Sequence, residues 1–203
     1  MKVVIVDYGM GNIRSIVSTL NYLNVNNVIV SDSLQEFVSA DRIILPGVGN
    51  FGKAIAQIKA KNLDSHLRSV VIEQQKPLLG ICLGMQLLGL SSSEHGDNEG
   101  LAYINGSVTK FDSTFVKVPH VGFNQVVVNT NSKLFDGIND GADFYFTHSY
   151  RMHTSVNINQ SVCNYQDDFV AGFEVGNICG VQFHPELSQF NGLRLLKNFI
   201  ANF

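Results

Sequence analysis

Pro77-Leu78-Leu79-Gly80-Ile81-Cys82-Leu83-Gly84-Met85-Gln86-Leu87-Leu88 decides the reading of this chain. Residues 78–81 are mostly apolar and read as a short buried strand. A helix-like run follows over residues 85–90. Between them, Gly80-Ile81-Cys82-Leu83-Gly84 puts a cysteine at the bend, the thiol counterpart of the G-x-S-x-G nucleophile elbow. Glycines flank the cysteine because so sharp a turn leaves no room for side chains beside it. The bend is expected to push the sulfur into the open. It also sets the sulfur at a helix N-terminus, where the dipole favours a thiolate. A buried structural cysteine can occupy the same pattern, so the elbow needs a partner elsewhere in the chain.

That partner is Phe183-His184-Pro185-Glu186, which closes a strand-like run over residues 179–183. Open α/β sheets gather their sites at the carboxyl ends of strands, so His184 can point into the same cleft as Cys82. Glu186 is near enough to orient the imidazole and stabilise its charge. Cysteine, histidine and glutamate then serve as nucleophile, base and orienter. The other histidines, His66, His95, His120, His148 and His153, have no such companion in sequence, and His66 and His95 read as solvated.

Upstream of the elbow, strands and helices alternate. Residues 2–6 form a continuous β-branched run, expected to be a strand buried on both faces. Ile13, Ile16, Val17, Leu20 and Leu23 recur at helical spacing. Gly9 and Gly11 begin a dinucleotide-binding pattern, but position 14 is arginine, so a tight βα turn is the better reading. Residues 27–30 and 42–45 read as further strands, with Ser31-Asp32-Ser33 capping a short helix between them. Pro46-Gly47-Val48-Gly49-Asn50-Phe51-Gly52 is a loop whose glycines let backbone approach a ligand or change conformation. A helical region spans residues 53–75, with a break expected near Asn62. This alternation implies an α/β fold, an open and mostly parallel sheet flanked by helices.

After Leu90 the pattern changes. Residues 91–100 read as a polar loop. Short strand-like runs then recur at 102–108, 124–128, 143–146, 161–165, 170–174 and 179–183, parted by turn signals such as Asp136-Gly137 and Gly176-Asn177. This half is expected to be more antiparallel. No linker parts the halves, so the whole chain, 1–203, reads as one domain. Leu193, Leu196, Phe199 and Ile200 give a closing amphipathic helix.

Composition narrows the classes. With 45% hydrophobic and 15% charged residues the chain can bury a substantial core and is not disordered. A net charge of −3 argues against a nucleic-acid binder. Cys82, Cys163 and Cys179 make no C-x-x-C pair and no even set, which argues against a disulfide framework or a metal site and fits a reducing cytoplasm. The first apolar run ends at Asp7, too early for a signal peptide, and no run reaches the ~18 apolar residues of a membrane span.

The elbow, the loop at 46–49 and the His184/Glu186 pair together resemble the class I, triad-type glutamine amidotransferases. Four further stretches resemble one branch of that family, the glutaminase subunits of imidazole glycerol phosphate synthases. They are Val6-Asp7-Tyr8-Gly9-Met10-Gly11-Asn12, Leu45-Pro46-Gly47-Val48-Gly49, Pro119-His120-Val121-Gly122-Phe123-Asn124 and Tyr145-Phe146-Thr147-His148-Ser149-Tyr150. The resemblance covers essentially the whole chain.

It implies a reaction. L-Glutamine binds in the cleft, Cys82 attacks its side-chain amide, ammonia leaves, and water activated by His184 hydrolyses the glutamyl thioester. The resemblance assigns the oxyanion hole to the Leu83 N–H and to the Val48-Gly49 peptide, which turns into place when the partner holds its own substrate. It assigns glutamine binding to Gly47, Gly49, Gln86, His148, Ser149 and Tyr150, and requires no metal or cofactor. Ammonia would pass to a (β/α)8 barrel cyclase subunit in a heterodimer serving histidine biosynthesis, with Asn12, His120, Phe123 and Leu187 at the interface. Two positions depart from the branch: Leu187 stands where lysine is usual, and Phe123 where tryptophan is. A paralogue supplying ammonia to another acceptor, such as an amidino sugar of a surface polysaccharide, would show such changes. A stand-alone cysteine hydrolase is the third reading, and differs in needing no partner.

Overall fold

A computed structural model describes residues 1–203. The chain opens with β1 (Lys2–Val6), α1 (Ile13–Tyr22), β2 (Asn27–Ser31), α2 (Leu34–Ser39) and β3 (Arg42–Leu45). Then come α3 (Phe51–Ala60) and α4 (Leu63–Leu67), followed by a π-helical turn over Arg68–Glu73. The break falls at Asn62, whose left-handed backbone (φ +55°) starts α4. The elbow joins β4 (Leu78–Ile81) to α5 (Leu83–Leu87). Residues 91–100, expected to be a loop, hold two short antiparallel strands, β5 (Ser91–Ser92) and β6 (Asn98–Glu99).

The second half is strand-rich, as expected, with shifted boundaries. It contains β7 (Ser107–Lys110), β8 (His120–Val126), β9 (Ala142–His148), β10 (Tyr150–His153), β11 (Ser161–Asn164), β12 (Asp168–Val175) and β13 (Ile178–Val181). A 3₁₀ turn at Pro185–Leu187 leads into α6 (Gln189–Asn202). Strand β10 had no sequence signal of its own. It follows β9 after the single residue Ser149, and it pairs with β7 instead of continuing the hairpin.

Seven strands form one sheet in the order β11-β12-β13-β4-β3-β1-β2. The pairs from β2 to β13 are parallel, and β12 and β11 add antiparallel strands at one edge. The continuous apolar strands are buried on both faces, and alternate residues enter two cores. Val4, Val6, Ile43, Leu45 and Leu78 pack with Phe37 of α2 and with Phe51, Ile58 and Leu67 of α3 and α4. Val3, Ile5, Ile44, Leu79 and Ile81 pack with Ile16 and Leu20 of α1 and with Leu195, Leu196 and Phe199 of α6. A smaller sheet, β10-β7-β5-β6, and the β8–β9 hairpin complete the fold.

The core holds the elbow in shape. An isolated helix needs ~12–15 residues to persist in water, whereas α5 has five, all buried. The backbone of Cys82 is strained for a residue with a Cβ, at φ +53° and ψ −110°. It is fastened by the Cys82 N–H donating to Val181 O at 2.8 Å. The flanking glycines are steric necessities: a Cβ on Gly80 would lie 2.8 Å from Met85 backbone, and one on Gly84 would lie 1.9 Å from Leu45 O. Ser33 stands at the N-cap of α2 but its side chain makes no capping bond. Ser31 Oγ instead accepts from the Ser33 N–H, tightening the turn from β2.

Because β3 cannot move away from Gly84, the substitution Gly84→Ala is expected to destabilise the chain by at least about 3 kcal/mol. Urea denaturation measures this, and a loss under about 0.5 kcal/mol, the range of neutral surface changes, would refute the steric account.

Candidate active site

The register of two neighbouring strands builds the site. Strands β4 and β13 run parallel with Ile81 opposite Val181, so both chains leave the sheet on the same edge. Cys82 follows one strand directly, and His184 follows the other by three residues. The His184 N–H donates to Tyr145 O at 2.9 Å, and Ser188 Oγ donates to His184 O at 2.6 Å. The imidazole backbone is thereby clamped to β9.

The 3₁₀ turn then brings Glu186 back under the ring. His184 Nδ1 lies 2.9 Å from Glu186 Oε1, with both side chains almost fully buried. If Nδ1 carries the proton for this bond, Nε2 is left for another task. Nε2 has no hydrogen-bond partner and faces the thiol. Burial opposes a charge on the ring, but contact with Cys82 and Glu186 outweighs it and raises His184 to about 10. The ring thus rests protonated, suited to an imidazolium beside a thiolate.

Cys82 is only 6% exposed, contrary to the expectation of an open sulfur. The elbow turns it toward the floor of a cavity of about 230 Å³ instead of outward to solvent. Val48, Gly49, Leu83, Gln86, Glu94, Pro119, Thr147, His148, Ser149 and Tyr150 form the rest of the wall. Leu83 is the first residue of α5, so its N–H has no acceptor one turn back within the helix. Tyr8 lies beneath the loop at 46–49, its hydroxyl donating to Pro46 O at 2.7 Å.

Two expected residues are placed differently. Gly47 is not in the cavity wall but is wedged under the elbow, where a Cβ would meet Gly84 N at 2.6 Å and Leu83 Cβ at 2.7 Å. Close packing against the elbow by itself requires a glycine there. Gly49, at φ +118°, stays exposed, and a Cβ there would meet only the Met10 methyl. His120, expected at a partner interface, is buried in a stack between Phe146 and Tyr165 at ring separations of 4.9 and 4.0 Å. Its Nδ1 lies 3.0 Å from His148 Nε2. These two histidines are therefore each other's companions, a pairing invisible in sequence. Burial lowers them to about 4 and about 3, so both are neutral at ordinary pH. His95 is solvated as expected, but His66 is half-buried, with an unpaired Nδ1.

Sequence reading missed Glu94, Pro119, Thr147 and Gln182. Glu94 is the one carboxylate in the cavity wall, held by the Phe51 N–H donating to its Oε2 at 2.7 Å. It had no signal, since it lies in a polar stretch that only the β5–β6 turn carries to the cavity. Gln182 had one: it lies two residues before His184, on the same side of an extended chain.

A family model for class-I glutamine amidotransferases matches residues 4–203. The chain belongs to that family. Its curated relatives include the imidazole glycerol phosphate synthase subunit HisH of Aquifex aeolicus, 42% identical over 202 residues and covering 98% of this chain and 96% of that one. HisH of Moorella thermoacetica is 43% identical over 198 residues, covering 97% and 93%. At that similarity the chain falls in the HisH branch of the amidotransferases. Among solved structures, PurLQS of Thermotoga maritima superposes with a TM-score of 0.67 at 18% identity, covering 98% of this chain and 97% of that one. A glutamine amidotransferase of Thermotoga maritima gives 0.64 at 18%, covering 98% and 80%. At such identity these two bear on the fold, the α/β class expected from the sequence. No helix of the HisH-like chain is long and apolar enough to cross a membrane.

The His184–Glu186 contact can be tested alone. In Glu186→Gln the carboxylate no longer offsets burial, so the His184 midpoint is expected to fall from about 10. Ring NMR shifts followed against pH would measure it, and an unmoved midpoint would show that Glu186 does not hold the charge.

Proposed function

We propose that this chain is the glutaminase subunit of an imidazole glycerol phosphate synthase, acting in histidine biosynthesis. The observation that carries the reading is a buried imidazole, paired through Nδ1 to Glu186, with its Nε2 unpaired beside a cavity-floor cysteine. Cys82 attacks the glutamine side-chain amide as the thiolate. His184 passes its proton to the leaving nitrogen, and ammonia departs from a glutamyl thioester. The neutral ring then takes a proton from water, which attacks the thioester and releases glutamate. Glu186 holds the ring in its tautomer and supports its charge in both halves.

The tetrahedral intermediates carry charge on the former amide oxygen. The Leu83 N–H and the Val48-Gly49 peptide are the donors for it. Gly47 is anchored by packing while Val48 and Gly49 are exposed, so this peptide can turn without disturbing the elbow. The substrate's α-ammonium has one carboxylate to meet in the cavity, Glu94. Gln86, His148, Ser149 and Tyr150 enclose the rest of the amino acid.

Released ammonia needs a destination, and the names of the relatives describe one subunit of a synthase. A barrel-type cyclase subunit would seat against the mouth of the cavity. Phe123 and Leu187 are 50% and 43% exposed, and Phe190, which shares a surface pocket with Phe123, is 85% exposed. Asn12 is half-buried at the start of α1, its Oδ1 accepting from Ser15 Oγ. His120 lies on the opposite, buried face of β8 from Phe123. Leu187 makes the contact apolar where the branch usually has a charge. That favours a second reading, a paralogue that feeds a different ammonia acceptor.

Cys82→Ala is expected to abolish glutamine-dependent synthesis, below about 10⁻³ of the parent rate, while synthesis from ammonium salts survives. Loss of both activities would remove Cys82 from the role of nucleophile. Expression in a histidine auxotroph lacking this subunit should restore growth, and failure there despite glutaminase activity would favour the paralogue. Introducing charge through Phe123→Asp should weaken partner binding at least about tenfold, measured by calorimetry. Unchanged affinity would move the interface elsewhere.

A further inference from the structure

Gln182 is fully buried and the reaction as derived gives it no part. Its Nε2 lies 3.7 Å from Cys82 Sγ, and its Oε1 accepts from Gln86 Nε2 at 2.8 Å. The direction of that amide is determined by its surroundings. The carbonyl of Tyr150 can only accept. It takes one N–H from Gln86 Nε2 at 2.8 Å and lies 2.8 Å from His148 Nδ1. Gln86 must therefore turn its amide nitrogen inward, and its second N–H goes to Gln182 Oε1. Gln182 is left with its nitrogen toward the sulfur. The reverse orientation would set two acceptors against Gln86 or two donors against each other.

The same carbonyl also sets the histidine pair. With Nδ1–H of His148 donated to Tyr150 O, His148 Nε2 accepts from His120 Nδ1–H, and His120 Nε2 accepts from Asn124 Nδ2 at 3.3 Å. Asn124 Nδ2 is the donor end because Asn124 Oδ1 accepts the Gln125 N–H at 2.8 Å. Every bond from Asn124 to the sulfur thus has an assigned donor, with the sense reversing at Tyr150 O, which accepts from His148 on one side and Gln86 on the other.

We infer that Gln182 is a positioning residue for the nucleophile: its amide N–H donates to Cys82 Sγ, fixing the sulfur over the cavity and stabilising it as thiolate. The inference rests on the glutaminase reading of Cys82. A hydrogen bond to an ionised acceptor is roughly twice as strong as one to a neutral acceptor, so the contact favours S⁻ over S–H. Charge leaves the sulfur as it attacks, so the bond is strongest before the reaction. It raises the fraction of ready nucleophile and does not stabilise the oxyanion. The titratable groups facing the sulfur are His184, with Glu186 behind it, and Tyr8, whose hydroxyl is raised by burial and by Cys82. Glu94 lies across the cavity. Neither Gln182 nor Gln86 titrates, so replacing them leaves those groups in place.

The test is iodoacetamide alkylation of Cys82 in the full chain, followed against pH, with Cys163 and Cys179 protected by complete burial. Gln182→Met keeps the length but cannot donate, and Gln182→Leu removes the donor without adding a charge beside the sulfur. In either, the alkylation midpoint should rise by about one pH unit, roughly a tenfold slower reaction below the midpoint. The deficit in glutamine hydrolysis should shrink as pH rises. A midpoint unmoved in a folded Gln182 variant would overturn the inference. If neither variant folds, Gln86→Met, which removes the group that orients Gln182, must raise the midpoint, and no rise overturns it. Alkylation does not depend on turnover, so a normal shift in a chain that never hydrolyses glutamine would refute the function and leave the Gln182–Cys82 contact standing.

Discussion

Strand β13 lies beside β4 with Val181 opposite Ile81, and the N–H of Cys82 adds one more rung by donating to Val181 O. Everything chemical in the molecule depends on this parallel pairing. It brings together residues 82 and 184 from opposite halves of the chain. It also holds the unfavourable backbone of Cys82, since a strained residue persists only where its surroundings over-determine it. Gly80 and Gly180 face each other across the same pair of strands, which leaves room on one face of the sheet for Met85 and Phe173.

The electrostatics follow from where that pairing buries the groups. A charged imidazole and a carboxylate almost out of reach of water are costly unless each satisfies the other. Here the 2.9 Å contact and the neighbouring sulfur supply the compensation. One oxygen of Glu186 and one nitrogen of His184 remain without partners. The unsatisfied nitrogen belongs to the ring that contacts the Cys82 thiol. Around the triad, the fold removes charge: His120 and His148 are kept neutral by burial. Histidines in this protein therefore serve two opposite electrostatic ends, set by whether an acid lies within reach.

The cavity and the exposed apolar face share one piece of structure. Hairpin β8–β9 sends Pro119 and residues 147–149 into the cavity wall, and it sends Phe123 outward. The buried His120 ring lies between those two sides, stacked on Phe146 and Tyr165. A partner pressing on Phe123 would act on the same hairpin that encloses the substrate. Its stiffness comes from a seven-residue register and a dense aromatic core that includes Phe111, Phe146 and Phe169.

Much of this was legible in the residues alone. Continuous apolar runs at 3–6, 43–45 and 78–81 require burial on both faces, so the parallel sheet follows from pattern. Gly80 and Gly84 around Cys82 require a turn that no other residues allow, and His184 with Glu186 two positions on could form their contact within one local turn. What the chain could not state was anything set by pairing distant segments. Strand β10 has no periodic signal and exists because β7 offers it a ladder. Gly47 is assigned to glutamine by the resemblance, and sequence cannot show that the same glycine is also packed tightly against the elbow. His120, Glu94 and Gln182 acquire their roles only from neighbours 28 to 100 residues away. Local chain chemistry thus determined the sheet, the elbow and the reactive groups. Tertiary packing decided which polar atoms face each other, because hydrogen-bond direction and burial are properties of surroundings and not of a residue.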